Sequence, residues 1–281
     1  MDWTRTKTIL IIALILTNGV LIFSLYGDRI GADNLDEQKY KRLEEVISLL
    51  ESEEVYITSD IPTRDLYLPD VQLTYEMYEN EELIKILLNK GYSKVDGRYL
   101  SKDAEVQILG AQELVYRTLN IPGGFVKTDP KLAKEIADGF LQEKGLIGDS
   151  VEYWGTKSLD SGMVLVQYRQ TLDGHFVEDA SMDFKIAGDQ LAEFRRKWFG
   201  SFKTLESIKN IESPVKALFR LLPEIDSSED VQRPVKIVSM DLGYRLVSNI
   251  LTINFQEGEP SPYWRFKTES GEVIYIEAQT D

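Results

Sequence analysis

Residues 163–199, MVLVQYRQTLDGHFVEDASMDFKIAGDQLAEFRRKWF, decide the fold. The stretch holds three runs of strand length, in which apolar and polar residues largely alternate. They are separated by Asp173-Gly174 and Gly188-Asp189, dipeptides that tolerate the positive φ of a tight hairpin. The spacing predicts strands over Met163–Thr171, His175–Ile186 and Leu191–Phe199. Another strand is expected over Val151–Lys157, with its turn at Asp160-Ser-Gly. Just upstream, Thr128 or Asp129 can cap a helix that has Pro130 at its first position, runs to about Lys144 and stops at Gly145.

The plan then repeats. A helical region over Thr204–Leu222, restarted at Ser213-Pro214, leads into strands near Val235–Leu242, Arg245–Phe255, Tyr263–Thr268 and Val273–Ala278. Phe184-Lys-Ile-Ala-Gly-Asp-Gln-Leu and Phe266-Lys-Thr-Glu-Ser-Gly-Glu-Val share a hairpin pattern of aromatic, Lys, turn residues and a returning apolar strand. Duplication of a helix-plus-four-strand unit is the simplest account. Each unit would lay its helix on one face of a small antiparallel sheet, an α+β arrangement rather than a doubly wound parallel sheet.

Before this region, Asn120–Asp129 carries Pro122, Gly123 and Gly124 and reads as a domain boundary. The segment 27–125 is expected as a membrane-proximal α+β domain, and 126–281 as a membrane-distal one holding both repeats. Within 27–125, Leu35–Glu54 reads as a helix with Tyr40, Leu43, Ile47 and Leu50 on one face. That stripe packs on its own domain or forms a short coiled coil continuing from the membrane. Val55–Ile61 is strand-like, Pro62 and Pro69 break the chain, and Asn80–Asn89 is a second helix stopped by Gly91. Short strands follow near Leu100, Val106–Leu109 and Leu114–Leu119.

The run Ile9–Tyr26 has no charged residue and, as a helix, spans roughly 27 Å at about 1.5 Å per residue. Arg5 and Lys7, against Asp2, precede it; Asp28, Arg29, Asp33, Asp36 and Glu37 follow. The positive-inside rule puts residues 1–8 in the cytoplasm, 9–26 in the membrane and the rest outside the cell. A cleaved signal peptide is the rival, but the run is longer than a usual apolar signal core and no A-x-A site follows. The expected localisation is therefore the cell membrane, single-pass, with the C-terminal part extracellular. Asn18, near mid-span, either meets a partner helix or bonds locally. With Thr17 and with Gly19, which lets another backbone approach, it forms the candidate partner contact in the membrane.

The 281 residues carry 47 Asp+Glu against 32 Lys+Arg, a net charge of −15, which removes the main source of affinity for nucleic acid. With no Cys, disulfides, thiolate metal sites and cysteine nucleophiles are excluded, and one His removes most Ser-His-Asp proposals. No P-loop, G-x-S-x-G, H-E-x-x-H, Rossmann or EF-hand pattern occurs. Ser213-Pro-Val-Lys216 matches S-x-x-K but lacks its K-T-G companion and reads as a helix start. His175 reads as a strand-entry residue. The acid pairs Glu44/Glu45, Glu53/Glu54 and Glu81/Glu82 read as solvated surface. Trp154, Trp198 and Trp264 read as strand residues of the core or sheet cover, and Arg195-Arg196-Lys197 as a solvated strand edge or a dock for an acidic partner or a wall polymer. Neither a catalytic residue, a cofactor nor a metal is expected.

The opening Met1-Asp2-Trp3-Thr-Arg-Thr-Lys7-Thr8 running into the apolar segment resembles the YycI (WalI) family of Gram-positive bacteria. So do Tyr168-Arg-Gln-Thr-Leu-Asp-Gly174 and the closing Pro262-Tyr-Trp-Arg-Phe-Lys…Gly271-Glu-Val-Ile-Tyr-Ile-Glu-Ala278. The resemblance implies a non-enzymatic, single-pass membrane protein with an outer α+β part made of PepSY-like units related to YycH. It also implies that, with a YycH-like partner, such a protein restrains the sensor histidine kinase (WalK/YycG-like) of the WalKR (YycGF) two-component system, which controls cell-wall metabolism. A homo-oligomer is a further possible assembly. An extracytoplasmic module that senses a wall fragment or peptide is the alternative function.

Overall fold

The computed structural model describes residues 40–279 apart from 63–66, 79–80, 90, 111, 122–126, 230 and 247–256. The apolar segment 9–26, with Thr17, Asn18 and Gly19, and the expected strand Arg245–Phe255 for all but its first two residues, lie outside the described residues. Among the described residues no helix is long and apolar enough to cross a membrane.

A helix described over 40–52 (α1) buries Leu50 and packs Leu43 and Val46 against the core, while Tyr40 stays exposed. It feeds β1 (Val55–Ile57). There follow β2 (Tyr67–Tyr75), α2 (Glu82–Leu88), β3 (Ser93–Val95), β4 (Arg98–Leu100), β5 (Ala104–Leu109) and β6 (Glu113–Thr118). The segment expected as the first repeat holds α3 (Pro130–Glu143), β7 (Val151–Ser158), β8 (Val164–Leu172), β9 (His175–Ala187) and β10 (Gln190–Lys197), and β11 (Phe199–Asn210) leads from it to the segment expected as the second. The second holds α4 (Pro214–Ser227), β12 (Val235–Arg245), β13 (Glu257–Gly258), β14 (Ser261–Thr268) and β15 (Val273–Glu277).

The architecture is α+β and mostly sheet. The two repeats do not form separate sheets, however. One twelve-stranded sheet runs β15-β14-β12-β9-β10-β6-β5-β4-β3, with β8 and then β7 on the other side of β9 and β1 parallel to β12. Strands on both sides of residue 125 share it: β6 pairs with β10, and β2 pairs with β11 in a second, three-stranded sheet with β13. The repeats meet where β9 and β12 run parallel, in register only at Gly243↔Phe176 and Tyr244↔Val177. Gly243 is required there, since a Cβ would run into the Phe176 carbonyl oxygen and ring.

Alternation along the strands separates the two faces. Val164, Val166 and Tyr168 on β8, Met182, Phe184 and Ile186 on β9, and Phe194 on β10 are buried. Phe140 of α3 covers them, its ring centroid 5.2 Å from Phe194 and 5.8 Å from Phe184. Asp129 starts α3 as expected, its Oδ1 accepting from the backbone N–H of Lys131 at 2.7 Å and Leu132 at 3.3 Å. In the second repeat α4 buries Ala217, Leu218, Leu221 and Ile225, and Trp264 is wholly buried with its Nε1 donating to the Glu212 carbonyl at 3.0 Å.

Two sequence expectations fail for one reason. Residues 199–210, expected in part as helix, are β11, and Pro69, expected as a breaker, sits inside β2. The β11–β2 register slips between Phe199 and Ser201 and again between Thr204 and Ile208, opposite Pro69. These irregularities space the apolar residues 199, 202, 205 and 208 by three, which imitates a helical period, and they place the proline where a ladder tolerates it.

Candidate functional site

The exposed side of the long sheet carries a ladder of charges. Arg98 lies 3.5 Å from Glu105, Glu105 3.4 Å from Arg117, and Arg117 Nε 2.9 Å from Glu193. Glu193 also takes Lys185 at 2.9 Å and Arg195 at 2.8 Å, and Arg195 reaches Glu113 at 3.2 Å. Burial alone would raise the Glu193 pKa, but hydrogen bonds from Arg195, Lys185 and Arg117 outweigh it and hold the carboxyl down at about 2.

This ladder corrects the reading of Arg195-Arg196-Lys197 as a solvated edge or a free basic dock. Strand β10 is interior to the sheet, between β9 and β6, and alternation sends neighbouring bases to opposite faces. Arg196 points inward, is buried, and pairs with Glu76 at 2.8 Å while lying 4.8 Å from the Trp198 ring. Lys197 stands 4.9 Å from the Tyr75 ring. Trp198 itself falls between β10 and β11 rather than within a strand.

The ladder continues through Asp183 and Arg169, 3.2 Å apart, to the seam between the repeats. Here Trp154, the bulged residue of β7, gathers cations: Lys267 Nζ at 4.1 Å, Arg265 Cζ at 4.3 Å and Arg169 Cζ at 6.0 Å from its ring centroid. Lys267 also donates to the Trp154 carbonyl at 3.2 Å, tying β14 to β7. Arg265 is only 2% exposed and is in close contact with both Trp154 and Phe176, the latter centroid 4.0 Å away. Its carboxylate neighbours are Glu178 at 3.5 Å and Asp241 at 3.4 Å. Even so, Arg265 Nε and Nη1 and Glu178 Oε2 have no hydrogen-bond partner. Burial, then repulsion from Arg265, lowers the Lys267 pKa. Burial, then the charge of Glu178 and a hydrogen bond to it, raise that of Tyr275. The seam thus concentrates incompletely satisfied buried charge, the kind of feature that marks functional sites. Sequence gave no signal for it beyond Trp154 standing in a strand, because its members come from β7, β8, β9, β12, β14 and β15.

Other sequence candidates are dispersed. His175 opens β9, its Nδ1 3.1 Å from the Leu242 carbonyl. Ser213 occupies the N-cap of α4 with Pro214 next, but its side chain makes no capping bond. Glu44 and Glu45 are exposed on α1, whereas Glu53 pairs with Arg233 at 3.1 Å. Glu81 is not simply solvated: it accepts from the hydroxyls of Tyr99 at 3.0 Å and Tyr92 at 3.2 Å. Among the described residues no group of carboxylates and histidine is arranged to hold a metal ion.

Residues 34–279 match the family described as YycI protein. Among solved structures the chain is similar to YycH from Bacillus subtilis, with a TM-score of 0.51 at 13% identity. The match covers 76% of this chain and 53% of that one, so the chain spans about half the length of YycH. An uncharacterized protein from Eubacterium rectale matches at a TM-score of 0.45 and 11% identity, over 82% of this chain and 84% of that one. No curated protein matches by sequence.

Proposed function

The chain belongs to the YycI family, and from that premise we propose that it is a non-enzymatic regulator of the WalKR (YycGF) two-component system. In this reading Ile9–Tyr26 anchors it in the cell membrane with residues 1–8 cytoplasmic and the remainder extracellular. With a YycH-like partner it restrains the sensor histidine kinase and so sets cell-wall metabolism. The family match over residues 34–279 carries the reading, and the YycH-like fold is compatible with two related outer parts working together.

The mechanism is a bias on the kinase's signalling equilibrium. An accessory helix lying beside the kinase helices shifts populations only by the difference in its contact energy with the two states. Thr17, Asn18 and Gly19 form that contact: the amide supplies an interhelical hydrogen bond worth about 0.6–2 kcal/mol, and the glycine permits close approach. Replacing Asn18 with Leu tests it. Weakened restraint, read as higher output of the kinase pathway in cells, is expected. Unchanged output at equal membrane abundance would remove Asn18 from the mechanism.

A further inference from the structure

The hairpins β9–β10 and β14–β15 are built alike but end differently. Phe184 pairs with Phe194 in the first, and Phe266 with Ile274 in the second. Counted from these pairs, the buried Phe194 and Arg196 of β10 correspond to the buried Ile274 and Ile276 of β15. Glu193, Arg195 and Lys197, on the other face, correspond to Val273, Tyr275 and Glu277. A helix packs on each hairpin, α3 on β9 and β10 and α4 on β15. The far edge of β10 is covered by β6, antiparallel and in register from Glu193↔Arg117 to Lys197↔Glu113. By contrast β15 is the last strand of the sheet, and no described strand covers its far edge.

That edge is able to pair. The Thr268 N–H donates to the Glu272 carbonyl and the Ala278 N–H to the Pro262 carbonyl, both at 2.9 Å. Alternation of the antiparallel ladder therefore turns the main-chain groups of Val273, Tyr275 and Glu277 away from β14. Arg220 donates to the Glu277 carbonyl at 2.9 Å, while the main chain of Val273 and Tyr275 makes no bond beyond the hairpin among the described residues. Natural sheet edges are commonly guarded by brevity, a central Lys or a bulge. Strand β3 has three residues with Lys94 in the middle, and β7 is bulged at Trp154. Strand β15 reads Val-Ile-Tyr-Ile over 273–276, carries no base and pairs with β14 without a bulge.

The first hairpin shows what such an edge accepts. On one face β6 sets Arg117 against Glu193 and Glu113 against Lys197; on the helix side it sets Leu114 and Tyr116, the latter ring 5.6 Å from Phe140 of α3. By the same rules β15 takes an antiparallel strand with apolar residues opposite Ile274 and Ile276 and a base opposite Glu277. Glu277 is exposed, and its carboxylate makes no ion pair among the described residues. Arg245 lies 4.5 Å from the Tyr275 ring centroid, so a short polar residue suits the position opposite Tyr275. A second copy of β15, paired about a two-fold axis at Tyr275, would set Val273 against Glu277 and supply no base.

We propose that β15 receives an antiparallel strand from a partner protein, of the pattern base–apolar–polar–apolar–polar, extending the sheet there as β6 extends it at β10. Main-chain hydrogen bonds at Val273 and Tyr275 hold the strand and Glu277 sets its register. The surface is separate from the membrane contact proposed above.

The test uses the full chain in detergent micelles and a fluorescein-labelled peptide, Thr-Lys-Val-Thr-Val-Thr. Two N-methylated forms are compared. One is methylated at both Val residues, whose N–H groups point away from β15; the other at Lys and the Thr between the Val residues, whose N–H groups point towards it. Saturable anisotropy is expected for the parent and the Val-methylated form, with the other form weakened by about tenfold or more. Val273→Pro removes an outward N–H at an edge position that tolerates proline and should weaken binding by about tenfold. Glu277→Gln should weaken it by about threefold, and Val95→Thr, on β3 at the opposite end of the sheet, leaves it unchanged. Thermal unfolding establishes that each variant is folded, and the methylated pair keeps the test valid if Val273→Pro is not. Absence of saturable binding, equal binding of the two methylated forms, or undiminished binding to folded Val273→Pro would overturn the proposal. So would a chain that sediments as a dimer and becomes a monomer with Val273→Pro, since the occupant is then a second copy. Peptide binding that appears only when residues 247–256 are deleted would also overturn it, by assigning the edge to this chain's own segment. None of these readouts depends on the kinase, so the result is separable from the regulatory reading.

Discussion

Replacing Glu193 with Gln removes the charge at the centre of the ladder while keeping its shape. Its carboxylate serves Arg195 at 2.8 Å, Arg117 at 2.9 Å and Lys185 at 2.9 Å, and its pKa is depressed from 4.5 to about 2. At about 1.4 kcal/mol per pKa unit that displacement corresponds to about 3 kcal/mol. The three cations are each about one-third exposed, so solvent screening reduces the expected contribution to about 1–2 kcal/mol. A depressed carboxyl stabilises the fold fully above its unfolded pKa, and this contribution is lost as pH falls from about 4.5 through about 2. Urea unfolding at pH 7, 5, 4 and 3 should therefore show wild type more stable than Glu193→Gln by about 1–2 kcal/mol at pH 7, with the gap closing towards pH 3. A gap that stays constant across this range would mean that packing, not charge, sets the cost, and no gap at pH 7 would refute the ladder's role.

Three further substitutions probe the joints. Gly243→Ala drives a Cβ into the Phe176 carbonyl at the two-residue join of β9 and β12; a loss of about 1–3 kcal/mol in urea unfolding is expected. Gln170 is buried and its amide donates to the Phe199 carbonyl and accepts from the Phe199 N–H, both at 2.9 Å. Gln170→Met leaves both backbone groups unpaired, and calorimetry should show a loss of about 2 kcal/mol or more. Asp129→Ala removes the cap of α3 and should lower stability by about 1 kcal/mol, recovered largely by Asp129→Asn.

Much of the fold is legible because its signals are local. Asp173-Gly174 and Gly188-Asp189 form the turns they announce, with positive φ at Asp173, Gly174 and Gly188, and Asp129-Pro130 starts α3 where the capping pattern puts it. The two Phe-Lys segments each form the expected hairpin, β9 with β10 and β14 with β15. What escaped is non-local. Nothing in the spacing of residues 199–210 distinguishes a twice-bulged strand from a helix until β2 is there to pair with it. The joining of β9 and β12 in one sheet runs through a short parallel pairing, Gly243 with Phe176 and Tyr244 with Val177, where Gly243 permits the close approach. The charge ladder is hidden for a similar reason: Arg195, Arg196 and Lys197 look like one basic cluster in the sequence, yet alternation gives each a different neighbourhood. The seam assembles Trp154, Phe176, Arg245 and Arg265 from distant strands, so their chemistry exists only in the fold.

The regulatory account is tested most directly by purifying the full chain from native membranes, beside a version whose Ile9–Tyr26 is replaced by an unrelated spanning helix, with kinase-pathway output read in the same cells. The account predicts that the intact chain brings down the sensor kinase and a YycH-like protein, and that the replacement loses the kinase while output rises. If the intact chain brings down neither protein, the account is contradicted. If the replacement still holds the kinase at unchanged output, the membrane helix is not where restraint resides.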